Sequence, residues 1–189
     1  MNFTQDWFSH NIPNFEVIKE AMPHCSSILE IGCFEGRSTC WMLENMLSDT
    51  GDICCIDTFA GSQEHANIDF DEMSTTFTDN VSEVKKEYQT VEVFEGSSHT
   101  QLAQIIDRGY SFDFIYIDGD HTAAGVMTDS CMAFPLLRQG GVMLWDDYLW
   151  EDAPGMENRP KMAIDTFLAM YASQCNIVVI GYQLAVVKL

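Results

Sequence analysis

Residues 112–148 read FDFIYIDGDHTAAGVMTDSCMAFPLLRQGGVMLWDDY, and this stretch decides the fold. Phe112–Ile117 is apolar and aromatic, reads as a strand, and ends on Asp118. Val126, Met127, Cys131, Phe134 and Leu137 follow at a spacing that predicts a helix with one buried face. Gly140-Gly141 is expected to stop that helix, and residues 142–145 to form a second strand ending on Asp146-Asp147. A strand–helix–strand unit of this length makes two parallel strands with a right-handed crossover. Asp118, Asp146 and Asp147 then gather at the carboxyl edge of the sheet, where open α/β sheets bind ligands.

Carboxylates brought so close repel one another unless they are protonated or share a cation. A hard divalent ion such as magnesium takes oxygen ligands and suits such a cluster. His121, three residues past Asp118 and at the start of the helix, could remove a proton from a hydroxyl held there. The plainer reading is that the aspartates are strand ends and helix caps, with the histidine on the surface.

The chain has 189 residues, 47% of them hydrophobic and 20% charged, which predicts one domain over residues 1–189 with a sizeable core. It contains no run of about 18 apolar residues, so no membrane span is expected. The start, MNFTQDWFSHNIPNF, has neither the basic residues nor the apolar stretch of a signal peptide, and the expectation is a cytoplasmic protein. The net charge of −20 repels phosphate backbones and anionic bilayers, which argues against nucleic acid or membrane as partner. Seven cysteines without a CxxC pair read as reduced thiols, mostly in the core, and not as a zinc site.

Ser27–Ile31 predicts a short strand that runs into Glu30-Ile31-Gly32-Cys33-Phe34-Glu35-Gly36-Arg37-Ser38 and then a helix to about Leu47. Strand, glycine turn and helix start form a ligand-binding loop. Neither the dinucleotide fingerprint nor the P-loop spacing is met. Glu30 suits an ammonium group better than a phosphate, which points away from NAD and towards an amino-acid-bearing cofactor such as S-adenosylmethionine. The next strand, residues 51–56, ends on Asp57, a position where an acid can accept two ribose hydroxyls. A third strand, residues 90–94, leads to Ser97 and Ser98, which could meet an adenine edge or cap the following helix, expected over 100–108.

Between these strands, residues 60–77 read as a polar, acidic loop and 80–88 as a helix. Asn67, Asp69 and Asp71 hint at an EF-hand, but Glu72 stands where glycine is required and Thr78 where a bidentate acid is expected. Residues 1–23 are too aromatic for a free tail, with a helix expected over 14–22. They either cap the open end of the sheet and touch substrate or pack against the fold or a partner subunit, so a homodimer stays open. After Tyr148 a loop should wall the substrate pocket, Pro160 opens a helix, and residues 176–180 and 183–189 predict a closing hairpin. The expected fold is α/β: a Rossmann-like, seven-stranded, mostly parallel sheet with helices on both faces and a C-terminal antiparallel hairpin.

This pattern resembles the class I S-adenosylmethionine-dependent methyltransferases across nearly the whole chain. Within them it is similar to the metal-dependent O-methyltransferases that act on catechols and on macrolide sugars. The loop LEIGCFEGRS, residues 29–38, matches the leucine-glutamate-leucine-glycine loop of the catechol enzymes. The resemblance implies that Glu30, Gly32, Gly36 and Ser38 hold the methionine part of S-adenosylmethionine and Asp57 its ribose. Ser97, Ser98 and Asp118 complete the cofactor set. It implies Asp118, Asp146 and Asp147 as ligands of a divalent metal, Mg2+ in the first instance. It also implies His121 as the general base, at the position where catechol enzymes carry lysine, as in the macrolide-sugar enzymes. Asp147 replaces the asparagine these enzymes can carry, and Asp120 the tryptophan that packs on adenine in the catechol enzymes. The implied activity is O-methylation of a hydroxyl on a sugar, polyol or phenol. The alternatives are a metal-independent N- or carboxyl-methyltransferase and a non-catalytic S-adenosylmethionine-binding protein of the same fold.

Overall fold

The computed structural model describes residues 1–61, 70 and 72–189. Its strands are β1 (Ser27–Ile31), β2 (Asp52–Asp57), β3 (Thr90–Glu95), β4 (Phe112–Ile117), β5 (Leu137–Trp145), β6 (Cys175–Ile180) and β7 (Leu184–Lys188). The helices between them are α1 (Ile12–Ala21), α2 (Arg37–Asn45), α3 (Met73–Val84), α4 (Ser98–Asp107), α5 (Ala123–Ala133) and α6 (Pro160–Met170). The strands form one sheet in the order β3-β2-β1-β4-β5-β7-β6. All pairings are parallel except those of β7, which runs against both β5 and β6. The order reverses between β1 and β4, the switch point beside which such sheets open a crevice.

Period-2 alternation divides the strands between two cores. Leu29, Ile31, Ile115 and Trp145 pack with Leu102 and Ile105 of α4, Val126 of α5 and Phe167 of α6. Ile28, Ile53, Phe114 and Leu144 pack on the opposite face with Phe15 and Ile18 of α1, Met42 and Leu43 of α2, and Phe77 and Val81 of α3. Among the described residues each face thus carries three helices. Among the described residues no helix is long and apolar enough to cross a membrane. All seven cysteines are free, and only Cys131 is not fully buried.

Two expectations need correction. Gly140-Gly141 does not end a helix: α5 stops at Ala133, and both glycines lie inside β5. Pro135, in the short 3-10 turn Phe134–Leu136, cannot continue the helical hydrogen bonding, so Phe134 and Leu137 leave the helix they were assigned to. The glycines instead accompany a register shift between Phe112 and Phe114 in the β4–β5 pairing. The other correction is α3, which begins at Met73 instead of residue 80. Met73, Phe77 and Val81 supply its buried face, an i, i+4, i+8 stripe hidden in a stretch read as polar loop. The run Asn67, Asp69, Asp71 lies outside the described residues.

Candidate active site

Backbone hydrogen bonds lace the carboxyl ends of five strands into one crest. Gly32 N donates to Ile56 O at 2.8 Å, Gly96 N to Asp57 O at 2.8 Å, Asp118 N to Ile31 O at 2.8 Å and Asp146 N to Ile117 O at 3.0 Å. Glu30, Asp57, Ser97, Asp118, Asp146 and Asp147 lie at or directly after these strand ends. Among the described residues three non-glycine residues have left-handed backbone, Phe34 (φ 48°), Phe59 (φ 49°) and Asp147 (φ 55°), and all three sit in crest loops. Such strain persists only where the surroundings enforce it.

The glycine loop is built by approach and by capture. Gly32 (φ +86°) has no room for a side chain, since a Cβ there would stand 1.9 Å from the carbonyl oxygen of Asp118. Gly36 caps α2 in left-handed conformation. Asp57 grips the loop: its Oδ2 accepts from the amides of Cys33 and Phe34, each at 2.8 Å, and its Oδ1 from Phe59 N at 2.8 Å. Oδ2 is filled by its two donors, and Oδ1 retains one lone pair for a further donor.

Glu30 is fully buried. Its oxygens accept hydrogen bonds from the hydroxyls of Ser38 and Thr39 and a longer one from Cys55 Sγ at 3.8 Å. It therefore reaches inward beneath the loop and does not offer a free carboxylate to an ammonium group; its effect on a ligand passes through Ser38. Burial pushes its carboxyl up to about 7 despite those hydrogen bonds. On the far side, Ser97 precedes α4 and its hydroxyl donates to Thr100 Oγ1 at 2.9 Å. Ser98 is the first residue of α4, so the capping position belongs to Ser97. Beneath them Asp129 is buried, and burial pushes its carboxyl up to about 6.

The acidic end of the crest is the most highly organised. Donor atoms of Asp118, His121 and Asp147 lie within 4.8 Å of one another. His121 Nε2 is 3.5 Å from Asp118 Oδ1 and 3.3 Å from Asp147 Oδ2. One cation at ordinary ligand distances spans donors at most about 5 Å apart, so the Asp118 and Asp147 carboxylates could share a divalent ion, with His121 Nε2 beside them. Burial first, and then the neighbouring carboxylates, push the carboxyls of Asp118 and Asp146 upward. An added positive charge would relieve that repulsion.

Asp146 stands apart from this convergence. It is 7% exposed, and its oxygens accept from Asn11 Nδ2 at 2.8 Å, from the Tyr116 hydroxyl and from Asp147 N at 2.8 Å. Tyr116 also lies 3.1 Å from Asp118 Oδ2. Neither Asn11 nor Tyr116 was singled out from the sequence. Tyr116 was legible, because residues two apart in a strand share a face and Tyr116 precedes Asp118 by two. Asn11 carried no local signal. The wall of the site is aromatic: Trp150 meets His121 edge-on at 5.3 Å between ring centroids, and Tyr182 meets His10 at 5.9 Å. Burial and the Asp147 carboxylate push the Tyr182 phenol upward.

Comparison with known proteins follows the same lines. Residues 29–148 match the family described as methyltransferase domain. No curated protein matches the chain. Among solved structures, an O-methyltransferase from Bacillus cereus in complex with SAH shares 24% identity, with a TM-score of 0.70 over 98% of this chain and 84% of that one. The O-methyltransferase TomG from Streptomyces achromogenes, involved in tomaymycin synthesis and solved with SAM, shares 18% identity, with a TM-score of 0.66 over 96% and 81%. MycE, from the mycinamycin biosynthetic pathway and solved with Mg, SAH and mycinamycin VI, shares 18% identity, with a TM-score of 0.62 over 100% of this chain and 50% of that one. With the family match covering the crest from β1 to the acidic pair, the chain belongs to the methyltransferase-domain family and has the class I S-adenosylmethionine-dependent fold.

Proposed function

We propose that this protein transfers a methyl group from S-adenosylmethionine to a hydroxyl oxygen of a small molecule, assisted by a divalent cation. The observation that carries the reading is the meeting of Asp118, His121 and Asp147 within 4.8 Å, on the same crest as the glycine loop. The Mg and SAH found together in MycE support it. When bound, S-adenosylmethionine supplies an electrophilic methyl carbon, and a divalent ion lowers the pKa of a nearby hydroxyl and fixes its direction.

The chain's own residues do the rest. Ser38, oriented by Glu30, and the amides at the start of α2 would hold the methionine carboxylate. Asp57 would accept a ribose hydroxyl on the lone pair left at Oδ1, with Ser97 and Ser98 beside the adenine. Asp118 and Asp147 would hold the ion. His121 Nε2 would take the proton of the acceptor hydroxyl as that oxygen is methylated. The imidazolium so formed is stabilised by the carboxylates of Asp118 and Asp147, 3.5 and 3.3 Å away. Trp150 and Tyr182 offer flat walls to a ring-bearing acceptor. Holding acceptor and methyl donor in line supplies much of the acceleration.

The test is a labelled-methyl screen over sugars, polyols and phenols, run beside amines and carboxylic acids. Label recovered as an O-methyl ether is the expected result. Label on nitrogen or carboxylate alone, or no transfer to any acceptor, would reject the proposal.

A further inference from the structure

We infer that Glu35 is a positioning residue for the cofactor loop, and that it acts by clamping residues 2–7 across that loop as a strap. The inference rests on the reading of residues 30–38 as the site that holds S-adenosylmethionine.

Glu35 stands just before α2 and is buried. One residue engages both of its oxygens: Thr4 N donates to Oε2 at 2.7 Å, and Thr4 Oγ1 donates to Oε1 at 2.6 Å. The two residues are 31 positions apart, so this is a tertiary contact and not a local turn. Nearby loop residues are tied to the same segment. The Phe34 ring meets Trp7 at 5.2 Å between centroids. Arg37 Nε donates to Gln5 O at 3.1 Å, and the guanidinium lies over the Phe3 ring at 4.4 Å.

Asn80, buried in α3, joins strap and loop through one carboxamide. Its Oδ1 accepts from Asn2 N, and its Nδ2 donates to Asn2 O and to Glu35 O, both at 2.9 Å. Phe8, directly after the strap, is buried against Phe15 and Trp41 and anchors the segment in the core.

The consequence falls on the loop backbone. Phe34 is left-handed, φ 48°, which is costly for a residue with a Cβ, and its amide is one of the two that Asp57 Oδ2 holds. A strap that engages Phe34, Glu35 and Arg37 keeps this strained loop in one form. A ligand that needs that form is spared the entropy of ordering it. Strap and cofactor therefore bind the loop cooperatively, and linkage makes the effect reciprocal.

Calorimetric titration of the full chain with S-adenosylhomocysteine tests this. Glu35→Ala should weaken binding about tenfold, within the usual range of coupling between sites. Glu35→Gln, whose amide can accept from Thr4 N and donate to Thr4 Oγ1, should return to within about threefold of wild type. Thr4→Val should weaken binding about threefold, and adding it to Glu35→Ala should cost nothing more, because both remove one contact. Losses that multiply in the double variant would show Glu35 acting without the strap and would overturn the inference. In wild type, S-adenosylhomocysteine should slow hydrogen exchange at the amides of residues 2–7. Unchanged exchange there would also overturn it, and this measurement decides should Glu35→Ala not fold. Binding that neither substitution weakens would overturn the strap alone. Wild-type protein that binds no S-adenosylhomocysteine would overturn the reading of the loop and this inference together.

Discussion

His121 and Asp147 sit in loops that follow different strands, yet the imidazole Nε2 comes to 3.3 Å from the Asp147 carboxylate. Parallel pairing of β4 with β5 brings the two loops together, and the left-handed turn at Asp147 closes the gap. A base beside two carboxylates can take a proton without leaving a charge uncompensated. Replacing His121 by alanine should therefore lower kcat for methyl transfer by about 100-fold or more, while calorimetric affinity for S-adenosylhomocysteine stays within about twofold. In wild type the rate should rise with pH as the imidazole deprotonates, and the variant should lose that rise. Full turnover in the variant would remove His121 from the chemistry.

Glu30 gives a prediction about stability. Its carboxyl is pushed from 4.5 up to about 7, chiefly by burial, so the folded protein keeps a proton that the unfolded chain releases. Its contribution is fully present below about pH 4.5 and lost as pH rises through about 7, amounting to roughly 3 kcal/mol. The thermal midpoint of wild type should fall across that window more steeply than that of Glu30→Gln, and above it the two curves should run parallel. Asp129, pushed up to about 6 by burial, works in the same direction in both proteins and cancels in the comparison. Parallel curves across the whole window would contradict the assignment.

The glycine loop separates two kinds of glycine. At Gly32 a methyl group would meet the Asp118 carbonyl oxygen at 1.9 Å, whereas at Gly109 nothing lies within 4 Å. Both have positive φ, so backbone strain of about 1–2 kcal/mol is common to the two alanine variants. Gly32→Ala must also spread β1 from β4, and should lose several kcal/mol or fail to fold. Denaturant unfolding of the pair measures the difference, and equal stabilities would show that the loop is not held as described.

Much of this architecture was legible before any coordinates. β1 and β4 lie where their apolar runs placed them, because each run is bounded by polar residues and ends on a turn. The orientation of Glu30 was also legible and went unread: it alternates with Leu29 and Ile31 and shares its face with buried Ile28, so it had to point into the core. The end of α5 was misjudged because two glycines drew the boundary away from Pro135. Asn11 was out of reach for a different reason. Its partner lies 135 residues away, and only the closed sheet makes them neighbours.

Removal of one ligand side chain tests the ion from the protein's side. Asp118→Asn or Asp147→Asn should each weaken Mn2+ binding by more than about tenfold and reduce methyl transfer at least as much, with S-adenosylhomocysteine affinity little changed for Asp147→Asn. Isothermal titrations of both ligands on each variant make the comparison. An Asp147→Asn protein that binds Mn2+ as wild type does would place the cation elsewhere.

The most direct measurement is labelled-methyl transfer from S-adenosylmethionine to a hydroxylated acceptor in the presence of EDTA, followed by add-back of Mg2+ or Mn2+. The account predicts that chelation abolishes transfer and that excess divalent ion restores it in wild type but not in Asp118→Asn. Transfer that proceeds at the same rate with and without EDTA would contradict it.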